Sequence, residues 1–281
     1  MAQAPGTPFM NQLRPEAGQG GMILLRSTLL ASIGVPHAFS TAVGPEGRPL
    51  DLSSAGSSHL GTRAEVLRND LERFSAAVAP GGRLATTRQV HGAAITDVQS
   101  ANTAEADIVI AEPLEDDDRV VRMAAVRTAD CVPILLACPR SGRVAAVHAG
   151  WRGLVADAPA AAIEEMSRRG SRIDDLHVAI GPAIGVERFE IGLEVAAAMR
   201  DSGLAAAVQS RSPRPHADLH RATCLRVIAT GVRESLVDGA PECTASSFRF
   251  FSHRRDRGAT GRHLAAITPG NATGFEAVDM G

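Results

Sequence analysis

The chain has 281 residues, 44% of them hydrophobic and 21% charged, which is enough apolar material for a sizeable core and too much for a disordered segment. Its formal net charge is −2, so it offers no broad positive field with which to release counterions from a nucleic acid. All 29 basic residues are Arg, which excludes Schiff-base catalysis and the P-loop lysine and leaves any anion to Arg forks or backbone N–H groups.

Residues 1–21 are rich in Pro and Gly without a basic region followed by an apolar run, and they read as a flexible tail with no targeting signal. No window reaches the ~18 continuous apolar residues of a membrane span. Cys131, Cys138, Cys224 and Cys243 are too few and too scattered for a disulfide framework, so a reducing, cytoplasmic compartment is predicted.

Residues 22–268 read as one α+β domain and 269–281 as an aperiodic C-terminal tail. Met22–Leu30 and Val35–Thr41 are predicted strands, and 44–61 a loop. Thr62-Arg-Ala-Glu65 has the form of a capping box, and the apolar spacing after it predicts a helix over 62–79, stopped by Pro80-Gly81-Gly82. Leu84–Val90 and Ala93–Val98 then read as two strands with His91-Gly92 at their corner.

The next stretch, Thr128–Leu154, holds two apolar runs, 132–137 and 143–147, separated by Pro139-Arg140-Ser141-Gly142. It predicts a β-hairpin. Cys131 begins the first strand and His148 ends the second, so an antiparallel pairing brings a thiol and an imidazole to the same end of the sheet. That juxtaposition suits a metal site, a Cys/His nucleophile pair or a coincidence of core composition. Beyond it come a helix over 153–169, a strand over 176–180, the rigid turn Gly181–Gly185 and helices over 195–200 and 219–236. The chain closes with Ser247–Phe251, an Arg-rich turn and a last strand over Leu264–Ile267.

His91, Cys131 and His148 each stand at a predicted strand end, and two His with one Cys form a common zinc set that leaves a fourth position open for water or substrate. A closed structural site would need another ligand. Cys138 is the nearest spare thiol, but seven positions along one strand place it on the opposite face of the sheet. Two segments suit an anion: Ala149-Gly-Trp-Arg152, which runs into a helix N-terminus, and the irregular stretch carrying Arg254, Arg255, Arg257 and Arg262. His37, His59, His177, His216 and His220 read as surface or structural residues.

Five segments, in this order, carry a resemblance: Gln89-Val-His-Gly92, Thr128-Ala-Asp-Cys131-Val-Pro133, Ala146-Val-His-Ala-Gly-Trp-Arg-Gly153, Gly181-Pro-Ala-Ile-Gly185, and Phe250-Phe-Ser-His-Arg-Arg-Asp256 with Thr260-Gly-Arg262. From about residue 35 to residue 268 the chain resembles the purine nucleoside phosphorylase family, formerly called multicopper polyphenol oxidoreductases or laccase-domain proteins. The resemblance implies a single-domain α/β/β/α sandwich and a catalytic zinc on His91, Cys131 and His148. It also implies phosphorolysis of adenosine, inosine, guanosine and methylthioadenosine to free base and ribose 1-phosphate, with adenosine deamination. Arg152, Arg254, Arg255 and Arg262 would bind the phosphate, and the open zinc position would activate water. Asp130 and Asp256 are possible general acids or orienting carboxylates. The alternatives are peptidoglycan precursor editing, a copper polyphenol oxidase and a non-enzymatic zinc-stabilised binding module. Copper fits less well, because a laccase needs several centres. Two positions depart from the family pattern: His253 where Tyr is usual, and Asp51 where Asn is common.

Overall fold

A computed structural model of the chain describes residues 13–54, 58–115, 120–239, 242–271 and 273–275. Its strands, in chain order, are β1 (Leu13–Ala17), β2 (Ile23–Ser27), β3 (His37–Ser40), β4 (Arg83–Ala85), β5 (Ile95–Asp97), β6 (Ile108–Ala111) and β7 (Arg122–Thr128). There follow β8 (Val132–Ala137), β9 (Val144–Ala149), β10 (His177–Ile180), β11 (Val208–Gln209), β12 (His216–Ala217), β13 (Val237–Gly239) and β14 (His263–Ile267). The helices are α1 (Thr28–Ser32), α2 (Ala64–Val78), α3 (Trp151–Val155), α4 (Ala158–Arg168), α5 (Leu193–Met199) and α6 (Leu219–Ala229).

One sheet runs β1-β2-β3-β14-β7-β4 and the other β13-β10-β8-β9-β6-β5, with β11 and β12 as a separate pair. Strands such as β8 and β9 are apolar on both faces because both faces are covered. In the first sheet Leu24, Ala38, Met123, Ala125, Leu264 and Ala266 turn outward to meet Phe74 and Val78 of α2. Their neighbours Leu25, Phe39, Ala124, Val126, Ala265 and Ile267 turn inward against Val109, Leu135, Ala146 and Ala179 of the second sheet. The second sheet's other face, with Ile134, Leu136 and Val147, packs on Leu154, Ile163, Met166 and Val227 of the remaining helices. The layering is helix, sheet, sheet, helix: a single α+β domain with mixed sheets, as the sequence predicts. No helix among the described residues is long and apolar enough to cross a membrane.

Several boundaries differ from the sequence expectation. Residues 13–21 are no flexible tail: β1 pairs antiparallel with β2, and its Pro15 is tolerated because β1 is a sheet edge that need not donate outward. The segment from 269 is likewise attached, since Leu114 N–H donates to Gly270 O, Gly270 N–H to Gly142 O, and Phe275 packs on the inter-sheet core. The remaining parts of both expected tails, 1–12 and 276–281, lie outside the described residues. The capping box does not form: the N-cap of α2 is Arg63, with no side-chain bond. The strands around His91 shrink to β4 and β5, which belong to different sheets, so 86–94 is a crossover and not a hairpin corner. The helix expected over 153–169 breaks at Asp157, whose φ is +60°, and the one over 219–236 stops at Ala229, before Gly231 at φ +97°. Residues 247–251 form a turn, and β6, β7 and β13 are strands without a sequence-based expectation.

Candidate metal centre

The chain passes from the first sheet to the second twice, between β4 and β5 and between β7 and β8. His91 lies on the first of these connections and Cys131 on the second, one residue before β8. His148 faces Pro133 across the β8–β9 register, which brings it beside Cys131 as the hairpin predicts. The candidate ligand atoms of the three residues all lie within 4.8 Å of one another. The two imidazoles meet edge to face, with centroids 4.9 Å apart. His148 is buried, Cys131 half-buried and His91 exposed, so the group opens toward solvent on the His91 side.

Asp107, at the entrance to β6, organises the group from behind and is completely buried. One of its oxygens lies 2.7 Å from His148 Nδ1 and accepts the backbone N–H of His91 at 3.0 Å. The other accepts the N–H groups of Val90 at 3.2 Å and Gly92 at 2.7 Å. These bonds draw 90–92 into a tight arc in which His91 adopts φ +62°. An ionised carboxylate only accepts, so His148 holds a proton on Nδ1, and Nε2 is the ring atom left to ligate once its own proton is displaced. Burial alone would raise the Asp107 pKa, but the His148 and backbone bonds hold it below the usual carboxylate range.

The charge pattern favours a thiolate. Burial pushes the Cys131 thiol up, but the neighbouring His148 and His91 outweigh it and bring its pKa down to about 6. Burial lowers His148, while the Cys131 thiolate and Asp107 raise it to about 9. Gly150 completes the cradle: a Cβ there would stand 2.9 Å from Cys131 Sγ and 3.6 Å from His91 Cδ2. A soft thiolate, two imidazoles with one tautomer fixed, and an open side fit a zinc ion better than a harder cation. Cys138 lies at the far, turn end of β8 and takes no part.

The four predicted arginines separate into two kinds. Arg152 is exposed and stacks on Trp151, with its guanidinium carbon 4.4 Å from the ring centroid. Arg254 is also exposed, lies over Phe189 and donates to Glu190 O. Arg255 is spent on structure, since it binds the carbonyls of Thr244, Ser247 and Phe250 and forks onto Asp256. Arg262, half-buried, donates to the Thr260 and Gly261 carbonyls. The helix after Gly150 is α3, only five residues long, so it offers a weaker dipole than the continuous helix expected there.

The candidate acids are structural too. Asp130, at φ +91°, accepts from Thr244 Oγ1, Ser252 Oγ and the N–H of Arg254. It thereby clamps the loop over 244–254 beside Cys131. Asp256 accepts from Arg255 and Thr260, and Asp51 from Ser53, Ser58 and the N–H of Arg262. His253 is exposed.

The profile of the multi-copper polyphenol oxidoreductase laccase family matches residues 37–269. The chain belongs to this family. Among the curated relatives, a Deinococcus radiodurans protein named purine nucleoside phosphorylase is 36% identical over 252 residues, covering 88% of this chain and 93% of that one. A Geobacillus stearothermophilus protein, named purine nucleoside phosphorylase YlmD, is 34% identical over 223 residues, 74% of this chain and 81% of its own. The crystal structure of YlmD from that organism superposes with a TM-score of 0.77 at 29% identity, covering 93% of this chain and all of that one. That of Bacillus licheniformis YfiH gives 0.77 at 21% identity, over 92% of this chain and 98% of that one, which speaks for the laccase-family fold alone.

Sequence reasoning missed Asp107 and Gly150. Asp107 left one signal, a lone carboxylate in front of the wholly apolar run Ile108–Ala111, where burial demands a partner. Gly150 left only its place inside the His148–Arg152 segment.

Proposed function

We propose that the chain is a zinc-dependent purine nucleoside phosphorylase acting on adenosine, inosine, guanosine and methylthioadenosine, with adenosine deaminase activity at the same centre. The observation that supports it is the convergence of His91, Cys131 and His148 on the Asp107-ordered arc, in a chain 36% identical to a protein named purine nucleoside phosphorylase. His91, Cys131 and His148 would hold the zinc, which when bound supplies Lewis acidity and an activated water.

Asp107 holds the Nδ1 proton of His148, so that Nε2 is the atom that would ligate, and the neighbouring imidazoles lower the Cys131 thiol toward the thiolate that a metal takes. Arg152 and Arg254 retain exposed guanidinium groups held against aromatic rings, and in this reading they bind and orient phosphate. A phosphate oxygen bonds to the ribose C1′ while the C1′–N bond breaks and its electron pair leaves with the base. Asp130 and Asp256 have their oxygens filled by structural donors, so neither serves as the proton carrier. The family's printed name carries a copper-oxidase reading. The described residues hold one group of three ligands, which suits a single ion and not several copper centres. A cytoplasmic location belongs to the same proposal.

The test is chromatography of adenosine incubated with zinc-loaded protein, with and without phosphate. Adenine and ribose 1-phosphate that appear only with phosphate bear out the phosphorylase, and inosine bears out the deaminase. His148→Ala should abolish bound zinc and both products. Full turnover by that variant would remove the metal mechanism.

A further inference from the structure

A second concavity lies away from these three residues, between α2 and the edge strand β4. Its volume is about 630 Å³, within the range of small-molecule sites. Leu67 and Leu71 of α2 and Leu84 of β4 form its apolar wall, Arg68 and Arg83 stand exposed at its rim, and Arg127 of β7 reaches it from the sheet. None of His91, Cys131 or His148 lines it.

Arg127 is the anomaly. Along β7, Met123 and Ala125 face the α2 side and bury themselves there, and by the two-residue period Arg127 continues that stripe. A guanidinium stands where the pattern calls for an apolar side chain. Its Nε donates to Leu52 O at 2.9 Å, and its two terminal nitrogens find no acceptor among the described residues. Asp51 is the carboxylate whose charge reaches it, and that carboxylate is already engaged by Ser53, Ser58 and Arg262. Burial lowers the Arg127 pKa to about 10, the direction for a cation short of solvation. Among the described residues that line the cavity, Glu72 is the one acid against Arg68, Arg83 and Arg127, a positive balance.

We propose that this cavity binds a small amphipathic organic anion, with its charged head on Arg127 and its apolar body along Leu67, Leu71 and Leu84. A carboxylate and a phosphate monoester share this chemistry, since both present two oxygens to a guanidinium fork. The proposal is independent of phosphorolysis at the metal centre. A failed nucleoside assay leaves it standing.

The experiment is calorimetric titration of the full-length protein with octanoate and, separately, octyl phosphate. Inorganic phosphate and octanol serve as probes of head and body alone. Saturable binding of either anion, with head and body alone at least about tenfold weaker, supports the site, and the preferred anion names the head group. Arg127→Gln should weaken that binding by about tenfold or more, the loss expected for a charge-assisted pair. Leu71→Asp and Arg83→Glu, which alter the wall and the exposed rim, should each weaken it as well and keep the test valid if Arg127→Gln does not fold. Absence of saturable binding by either anion overturns the proposal. So does unchanged affinity in folded Arg127→Gln, or in both of the other variants.

Discussion

Asp107 sets the tautomer of His148 and the curvature of the 90–92 arc with one carboxylate, so a single atom change should disturb both. In Asp107→Asn the amide retains one acceptor oxygen and its NH2 opposes either the His148 Nδ1–H or the backbone N–H groups. Affinity for zinc should fall 10- to 100-fold, as for other partners of ligating histidines, read by competition with a chromophoric chelator. Unchanged affinity would reduce Asp107 to a folding residue. Cys131 and His148 were legible in the sequence because they stand at strand ends where a side chain can leave the core, and His91 because of its neighbour Gly92, although the strands expected around it give way to a crossover. Asp107 was not, because its partners are 41 and 15–17 positions away, and the β6–β9 pairing brings it His148 while the β5–β6 pairing brings it the 90–92 arc. The arginines show the opposite failure. A helix start marked Arg152, an irregular Arg-rich stretch marked Arg254, Arg255 and Arg262, and only the folded loop reveals that Arg255 is saturated by the loop's carbonyls.

At the scale of elements, the loop over 244–254 is pinned by Asp130, which holds it at Thr244, Ser252 and Arg254. Asp130→Ala leaves these donors without an acceptor in a buried setting and should cost about 2–4 kcal/mol, measured as a lower urea midpoint at unchanged slope. A loss below about 0.5 kcal/mol would mean that water replaces the carboxylate at no net cost. The elements that the sequence foretold best, β8, β9 and β14, are continuous apolar runs buried on both faces. The ends of three-residue strands such as β4 and β5 are set by their parallel pairing with β7 and β6, so the apolar runs over 84–90 and 93–98 mark them but overstate their length. The break between α3 and α4 did leave a signal, Pro159 in the first turn of α4 just after Asp157, because a proline cannot donate within a continuous helix and suits a helix start.

Two buried histidines give the whole molecule a pH signature. His37 and His263 each accept a backbone N–H on Nε2, from Ser27 and Phe251 at 2.8 Å, and burial brings both pKa values to about 4 from the ordinary 6.5. Between these values the unfolded chain binds protons that the native state refuses. Stability is therefore full above about pH 6.5 and falls as the pH drops toward 4, by about 3 kcal/mol for each histidine. Urea unfolding from pH 7 to 4 should show this decline, and a flat profile would mean that the rings titrate normally in the folded protein.

The crossovers that carry His91 and Cys131 are the two places where the chain passes from the first sheet to the second, both at one end of the sandwich. An ion gripped there together with the end of β9 acts as a rivet through the seam. Stripping it should let that end gape first: amides over 86–94 and 129–131 would exchange hydrogen faster, while those beside Cys138 and Gly142, at the hairpin's other end, keep their pace. The centre would thus be a fastener of the two sheets as well as a place for chemistry.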